Sequence, residues 1–480
     1  MFKKITKFVA VCLCICMILS MTACTEKKNE EDIPTLVWYI PGSKAPDLAM
    51  VNEAVNKITV PKIGAKIDMQ FIDDGAYAQR MTMNMASKSK FDICFTGFIN
   101  QYDAAVRKKA FLDITEYLED TKLKEVIPEY AWEATQVDGK IYAVPNQQTF
   151  TQTLGVLFRK DLVDKYNFDI NSVKTMKDLE PYLELIKNNE KDYYPIRQFK
   201  FEYLLGDKYE AMVDLGSLVY LKRDGSNEVI ALPDIPELKE FVDLSHDWFN
   251  KGYLRPDIAT VTSDSNEMYA GKYAVWGQTW KQGVVEEEQA KMPDVEIVGV
   301  NLQSPYMTRF FATCTMYAVS ATSENPEKAV KFLELLNTDK ELYNLICWGV
   351  EGTHYEKIDE NRIKADSEGG YFYNQSWKFG NCFNSYLLDN QDEDVWERTL
   401  EENNTADRSP ILGLSVNADE VRVELANCSA IVSEYAYMRK GYLDPETYFG
   451  EYQRRLKEAG IDKIVEVAQK QVDEYIKNNK

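Results

Sequence analysis

Between residues 35 and 95 the chain alternates between two hydrophobic periods, and no other feature of its 480 residues restricts the fold as strongly. Residues 35–40 (TLVWYI) form a compact β-branched and aromatic run that stops at Pro41 and Gly42, as a buried strand does. Leu48, Val51, Val55 and Ile58 then recur at helical spacing. A second strand follows at 65–72, a helix at 77–87 and a third strand at 91–95 (FDICF). Strand, helix, strand, helix, strand is the order of a parallel sheet covered by helices on both faces.

The same reading extends along the chain. Gly139 supplies a turn in 138–145 (DGKIYAVP), and Pro145 ends a strand where the chain changes lobes. A second α/β region runs to about residue 300, with strands at 153–158 and 273–276 and helices at 160–166, 176–188 and 235–250. Residues 307–320 read as one long apolar strand returning to the first lobe, followed by a helix at 325–337. At roughly 100–200 residues per domain the length fits two or three bodies.

Residues 1–23 stand apart. Lys3, Lys4 and Lys7 precede an almost uncharged apolar run at 8–21, shorter than the roughly 20 apolar residues that cross a bilayer. Small or polar residues then lead to Cys24. This pattern resembles a bacterial lipoprotein signal, which implies that Cys24 carries lipid and becomes the first mature residue; the alternative is an ordinary secretory signal cleaved nearby. Residues 24–33, with the charged run TEKKNEED, read as a solvated tether. The body is thus expected at the outer face of the cytoplasmic membrane, held by lipid.

The formal charge is −21, and −24 once the three signal lysines leave. Such a surface is repelled by phosphate backbones, which excludes nucleic acid as a partner class. Five cysteines remain in the body, Cys94, Cys314, Cys347, Cys382 and Cys428, without CxxC spacing. The apolar flanks of Cys94 and Cys314 point to buried thiols, and at most one or two bridges are expected.

Catalytic devices are sparse. Only His246 and His354 exist, neither in a nucleophile motif, and there is no Gly-rich phosphate loop and no HExxH. A glycosidase needs only two carboxylates, so carbohydrate cleavage stays open on residue content, although the lobe order argues against it. His246 reads as a surface or capping group, and His354 as either structural or ligand-facing. Asp169, Asn171, the carbonyl of Val173 and Asp178 have spacing that suits a structural calcium, or else Asp169 and Asn171 form turns and Asp178 starts a helix. No other cofactor is required.

Sugar rings lay their CH faces on tryptophan or tyrosine, while amides address hydroxyls. Asn146, Gln147, Gln148 and Gln152 at the first crossing, and Trp276, Gln278 and Trp280 in the second lobe, fit that chemistry. Trp38, Trp132 and Trp396 lie inside strand or helix patterns and read as core.

Seven segments in order, 36–44 (LVWYIPGSK), 91–96 (FDICFT), 110–118 (AFLDITEYL), 138–145, 157–162 (LFRKDL), 269–280 (YAGKYAVWGQTW) and 319–336 (VSATSENPEKAVKFLELL), resemble the family 1 extracellular solute-binding proteins of ABC importers. Residues 348–355 (WGVEGTHY), 377–383 (WKFGNCF), 409–416 (SPILGLSV), 428–435 (CSAIVSEY), 441–447 (GYLDPET) and 456–475 resemble LipO-like lipoproteins with their C-terminal domain. The resemblance implies an α/β, two-lobed periplasmic-binding-protein-like fold with a hinge, an interlobe cleft and a helical C-terminal addition. Lobe one is then expected at 34–148, with 309–345 returning to it. Lobe two is expected at 149–308 with part of 346–408, and residues 409–480 as a helical domain packed on the body.

The resemblance also implies function and sites. Ser43, Lys44, Thr96 and Gln152 are carried over from aligned segments, and Phe98 follows the third strand. Arg309, Trp348, Glu351 and Trp377 complete the candidates. Ser43 and Thr96 stand where maltose-binding members have an acid and a tryptophan, which argues against maltodextrin. In some oligosaccharide-binding relatives a calcium loop has a further acid where this chain has Lys177. The expected role is capture of a carbohydrate, an oligosaccharide in particular, by a monomeric, non-catalytic lipoprotein that serves ABC permease subunits. A peptide or other polar metabolite, and a surface-anchored glycoside hydrolase, are the alternatives. The anchor has a direct test: after cell fractionation the wild-type chain should stay with membranes, and Cys24→Ala should be released or remain unprocessed. Wild-type protein mainly in the medium with unmodified Cys24 would overturn it.

Overall fold

The computed structural model describes residues 33–479 except 100, 101, 262 and 293, so the signal segment and Cys24 lie outside the described residues. The first strand, Thr35–Pro41, alternates as its sequence dictates, with Leu36, Trp38 and Ile40 fully buried. It pairs in parallel with Lys66–Ile72 on one side and Ile93–Gly97 on the other. Thr315–Val319 returns antiparallel beside Ile93–Gly97, and Ala143–Pro145 closes the five-stranded sheet. The helix Leu48–Ile63 covers one face through Leu48, Val51 and Val55, then ends at Gly64 with φ 61°, the left-handed stop that glycine adopts without strain. Trp38 is held edge-on by Tyr317 and Phe332, each with ring centroids 5.1 Å away.

Residues 307–320 are not one strand. They split into Tyr306–Met307, a helix Arg309–Thr313 and the strand Thr315–Val319. Thr308 accepts a hydrogen bond from the Phe311 backbone N–H at 3.2 Å, and this cap starts the helix. A short buried apolar run has no period that separates strand from helix, so a cap decides.

The second sheet is mixed. Its order is Ile297–Asn301, Leu154–Arg159, Tyr273–Thr279, Tyr194–Ile196, and the Leu154–Arg159 strand runs antiparallel to both neighbours. One face packs into a large core with Phe158, Val275 and Trp248, to which the C-terminal helices Arg422–Glu434, Pro445–Glu458 and Ile461–Asn478 contribute Cys428, Leu456, Ile464, Ala468 and Val472. The C-terminal residues therefore complete the core of lobe two. Gln469 adds a polar tie, accepting from the Val229 backbone N–H at 2.7 Å.

Part of 346–408 is expected in lobe two; within it, the buried apolar side chains of 348–388 belong to the core of lobe one. Trp348, Tyr355, Ile363, Tyr371, Phe379 and Leu388 join the same core as Trp38. The reason is a backbone pairing: the Gln147 N–H donates to Gly380 O at 2.7 Å, and the Cys382 N–H donates to Gln147 O at 2.9 Å, which lays this segment beside the first crossing. All five body cysteines are free thiols.

Three segments cross between lobes, and they hydrogen-bond to one another as a short ribbon. Thr151–Gln152 and Tyr306–Met307 pair antiparallel, and Tyr306–Met307 and Asp407–Arg408 pair in parallel. Behind it sits Glu210, a buried carboxyl that accepts from the Tyr306 hydroxyl at 3.0 Å. Burial pushes its pKa up to about 7, against hydrogen bonds from Ser409 and Tyr306 that pull it down. A raised carboxyl binds a proton that the unfolded chain releases above pH 4.5, so the associated stability is lost as pH rises towards 7. Glu210→Gln keeps the neutral form. Its urea-unfolding free energy should gain on wild type by on the order of 3 kcal/mol between pH 4.5 and 8; a difference that stays constant with pH would contradict the assignment.

Candidate functional site

The wall of lobe one is built at strand ends. Pro41 closes the first strand, the Gly42 N–H donates to Ile72 O at 2.8 Å, and Ser43 and Lys44 follow, both exposed. After the third strand comes Phe98, 48% exposed, which stands against Phe95 at 5.7 Å and Trp377 at 6.3 Å between centroids. Trp377 is half-buried on the single turn Ser376–Lys378. The Lys378 ammonium donates to Pro41 O at 2.7 Å, and the Asn146 amide donates to Lys378 O at 2.7 Å, so this turn is fastened to both the first strand and the first crossing.

The wall of lobe two is built from the strand Tyr273–Thr279 and the residues after it. The Trp280 N–H donates to Thr153 O at 3.0 Å, and the Thr153 hydroxyl returns a bond to Trp280 O at 2.9 Å. Its indole lies against the sheet over Gly155 and Gly299. A Cβ on Gly155 would stand 2.4 Å from Trp280 Cε3, and one on Gly299 3.0 Å from Cζ3. Lys281 and Gln282 come next. Glu287 faces them; burial raises its pKa, yet the ammonium groups of Lys281 and Lys291 outweigh burial and hold it below the usual carboxylate range.

At the hinge the helix Val395–Thr405 fastens the first crossing. Asn403 accepts from the Phe150 N–H at 2.8 Å and donates to Gln148 O at 2.7 Å. Glu402 accepts from the Thr151 hydroxyl at 2.6 Å and from the Gln282 amide at 2.9 Å. Together these elements form a cleft lined by Gln148 and Thr149 of the crossing, Lys281, Gln282 and Glu287 of lobe two, and Trp348, Asn374, Trp377, Tyr386 and Trp396. The lining is aromatic faces interleaved with amides and one ammonium–carboxylate pair.

Of the sequence candidates, Gln148, Trp348 and Trp377 line this cleft. Gln148 donates to Thr315 Oγ1 at 2.8 Å, and Trp348 is buried up to its edge with its indole N–H on Ser385 Oγ at 3.0 Å. Phe98 adjoins it through Trp377, Ser43 and Lys44 follow the strand end that Lys378 grips, and Trp280 precedes Lys281. Gln278 is half-buried at its strand end, where its carbonyl accepts from the Tyr203 hydroxyl at 3.2 Å. Gln152 pairs through its backbone with Tyr306 in the hinge ribbon.

The other candidates are placed elsewhere. Asn146 is buried with its amide on Lys378 O, and Thr96 is fully buried. Trp276 belongs to a small core with Leu157 and Met292 beneath the lobe-two sheet. Arg309 is buried and bidentate to Asp103 at 2.8 and 2.9 Å, with Asp214 at 3.4 Å, so its charge is compensated internally. Glu351 is exposed and paired with Lys357 at 3.1 Å, away from the cleft lining. His354 is buried, its Nδ1 accepting from the Val350 N–H at 2.8 Å. His246 bonds through Nδ1 to Gly441 O at 2.8 Å.

In the segment considered for calcium, Asp169 and Asp178 serve as caps of short helical turns. Asp169 accepts from the Asn171 N–H at 3.0 Å, and Asp178 accepts from the N–H groups of Lys174 and Thr175 at 2.9 and 2.7 Å. Val173 is core, and Lys177 pairs with Glu240 at 2.7 Å. Asp169 Oδ1 and Asp178 Oδ2 thus accept from backbone N–H groups of their own turns.

Trp396, Tyr386, Asn374, Lys281 and Gln282 were missed. Trp396 sits in a helical pattern that reads as core, whereas Lys281 and Gln282 directly follow Trp280 and were within reach of the same strand-end argument.

This architecture and cleft define a two-lobed binding protein. Residues 49–342, more than half of the chain, match the model of the bacterial extracellular solute-binding protein family, and the chain belongs to that family. Residues 410–477 match a domain of unknown function, DUF3502. The chain is 29% identical over 469 residues to a carbohydrate ABC transporter substrate-binding protein of Streptococcus pneumoniae serotype 4 (strain ATCC BAA-334 / TIGR4), covering 94% of this chain and 92% of that one. It is 25% identical over 353 residues to lipoprotein LipO of Bacillus subtilis (strain 168), covering 68% and 67% respectively. The crystal structure of the N-glycan transport solute-binding protein NgtS from Streptococcus pneumoniae superposes with a TM-score of 0.85 at 27% identity, over 93% of this chain and 100% of that one. A structure of NgtS in complex with Man5GlcNAc gives 0.77 at 27% identity, over 93% and 99%.

The glycine under Trp280 offers a test of the lobe-two wall. Gly155→Ala would push a methyl against the indole and against Val300 O, 2.6 Å away, so unfolding free energy should fall by about 1–3 kcal/mol in urea titration. An unchanged value would mean that Trp280 does not rest on this sheet.

Proposed function

We propose that the protein is a non-catalytic, lipid-anchored binding protein that captures an oligosaccharide in the interlobe cleft and passes it to an ABC permease. One observation carries the reading: the indoles of Trp348, Trp377 and Trp396 and the phenol of Tyr386 line a single cleft with amides and a charged pair from both lobes and the hinge. Flat aromatic faces suit the CH faces of pyranose rings, and the interleaved polar groups suit their hydroxyls. The names of the relatives, a carbohydrate transporter subunit and an N-glycan-binding protein, support the same class of ligand.

The mechanism is hinge closure. A ligand that touches Trp377 on lobe one and Gln282 on lobe two stabilises the closed arrangement, whereas a ligand confined to one lobe does not. A hydrolase would need two free carboxyls across a scissile bond. In this cleft Glu287 is neutralised by two lysines, and Glu402 at the hinge is held by Thr151 and Gln282. Two acyl chains on Cys24 would give stable attachment where one chain is marginal, and the lipoprotein among the relatives supports that placement.

Incubation of the mature chain with a glycan panel that includes Man5GlcNAc tests the reading. At least one oligosaccharide should raise the melting temperature and leave the glycan intact, and Trp377→Ala should weaken its binding about 2- to 12-fold, the range of one stacking contact. Steady release of shortened sugars would replace this function with hydrolysis, and binding of peptides alone would replace the ligand class.

A further inference from the structure

Lys378 is the only buried lysine among the described residues, 2% exposed, and it forms no ion pair with any described carboxylate. An ammonium taken out of water without a counter-charge costs several kcal/mol, and a methionine of similar volume would avoid that cost. Burial accordingly lowers the pKa of Lys378, with Asp74 pulling weakly the other way. The ammonium has two neighbours of interest. It donates to Pro41 O at 2.7 Å, at the last residue of the first strand, and it lies 5.5 Å from the centroid of the Trp377 ring, within cation–π range.

The surroundings explain what such a group does. The loop after the first strand is gripped at both ends by residues 373–378: Lys378 holds Pro41, and the Tyr373 hydroxyl accepts from the Ala45 N–H at 3.2 Å while its ring stacks on Phe71 at 4.6 Å. Gly42 sits between the two grips at φ 140°, a backbone conformation that favours glycine. The Lys378 carbonyl is taken by Asn146 of the first crossing. Ser43 and Lys44, in the loop after the first strand, and Trp377, which lines the cleft, therefore share one anchor.

We propose that Lys378 is a positioning residue whose ammonium locks the Pro41–Ala45 loop and the Trp377 indole into one fixed platform for the ligand. This rests on the carbohydrate-cleft reading. A platform fixed before the ligand arrives loses less conformational entropy on binding, so the buried charge serves affinity at the expense of stability.

The test uses the mature chain labelled with 5-fluorotryptophan, the Trp377 ¹⁹F line being assigned by its loss in Trp377→Phe. In Lys378→Met the protein should be as stable as wild type or more so, the Trp377 line of the ligand-free protein should shift or broaden, and Man5GlcNAc, or the best oligosaccharide of the panel, should bind at least about fivefold more weakly. Lys378→Gln, which keeps a donor for Pro41 O but no charge beside the ring, gives the same readouts if the methionine variant fails to fold. An unchanged Trp377 line with affinity within about twofold of wild type would overturn the proposal. Wild-type protein that binds no oligosaccharide would sink the functional reading, while the ligand-free Trp377 line would still decide whether Lys378 positions the ring.

Discussion

The pairing of three crossing segments into one ribbon is the constraint on which the rest depends. Thr151, Met307 and Arg408 lie side by side, joined by backbone bonds, although they are more than a hundred residues apart from each other in sequence. Each lobe is completed only after the chain has crossed and returned: the core of lobe one takes its fourth strand from Thr315–Val319, and that of lobe two takes helices from beyond residue 420. Such long-range closures carry entropy that the two cores must offset. Once they have closed, two-residue strands with few cross-links can bend while the lobes stay rigid, which is the mechanical requirement of a closing cleft.

Buried polar groups around that ribbon are satisfied mainly by each other. Arg309 lies in the second crossing and binds Asp103 of lobe one; the same carboxylate accepts from the Ser415 hydroxyl, and Arg107 donates to Ser415 Oγ at 2.9 Å. A buried guanidinium is tolerable only with such charge pairing. The outcome is a knot that ties lobe one, a crossing and the C-terminal segment, with Arg309 directed at Asp103 and Asp214. Tyr475 extends this tie, donating to Glu133 Oε1 at 3.1 Å and accepting from the Gly413 N–H at 3.2 Å.

Lobe one was legible in the sequence because its strands and helices have different periods and visible stops at Pro41 and Pro145. The return segment was not, because an apolar run of this length has no period of its own and the cap at Thr308 was the deciding signal. At the site the limit was parity and cover. Trp276 and Gln278 are two residues apart and so share a face of one strand, yet the chain that follows covers the first and leaves the second half-open. Nothing local to 276–280 records that cover. Asn146 shows the same limit: an amide beside the crossing is used internally because Lys378, 232 residues later, supplies its partner, while Trp396, in a helical pattern, lines the cleft.

The internal use of polar groups also shapes what a ligand gains. Gln282 already donates to Glu402 and Gln148 to Thr315, so a sugar hydroxyl that engages these amides exchanges one partner for another, and the net gain of an exchanged hydrogen bond is about 0.5–1.5 kcal/mol. Apolar contact has no such competitor: the exposed faces of the cleft indoles meet only water until a ring covers them, and that surface contributes about 25 cal/mol per Å² removed from water. On the proposed reading, the half-buried aromatic side chains of such a cleft would supply most of the affinity and the amides the selection among hydroxyl patterns. Selection by exchanged bonds demands that the amides and indoles keep their spacing, and that is why the fastening of Trp377 to Pro41 and Asn146, and of Gln282 to the hinge through Glu402, matters more to recognition than any single contact with the ligand.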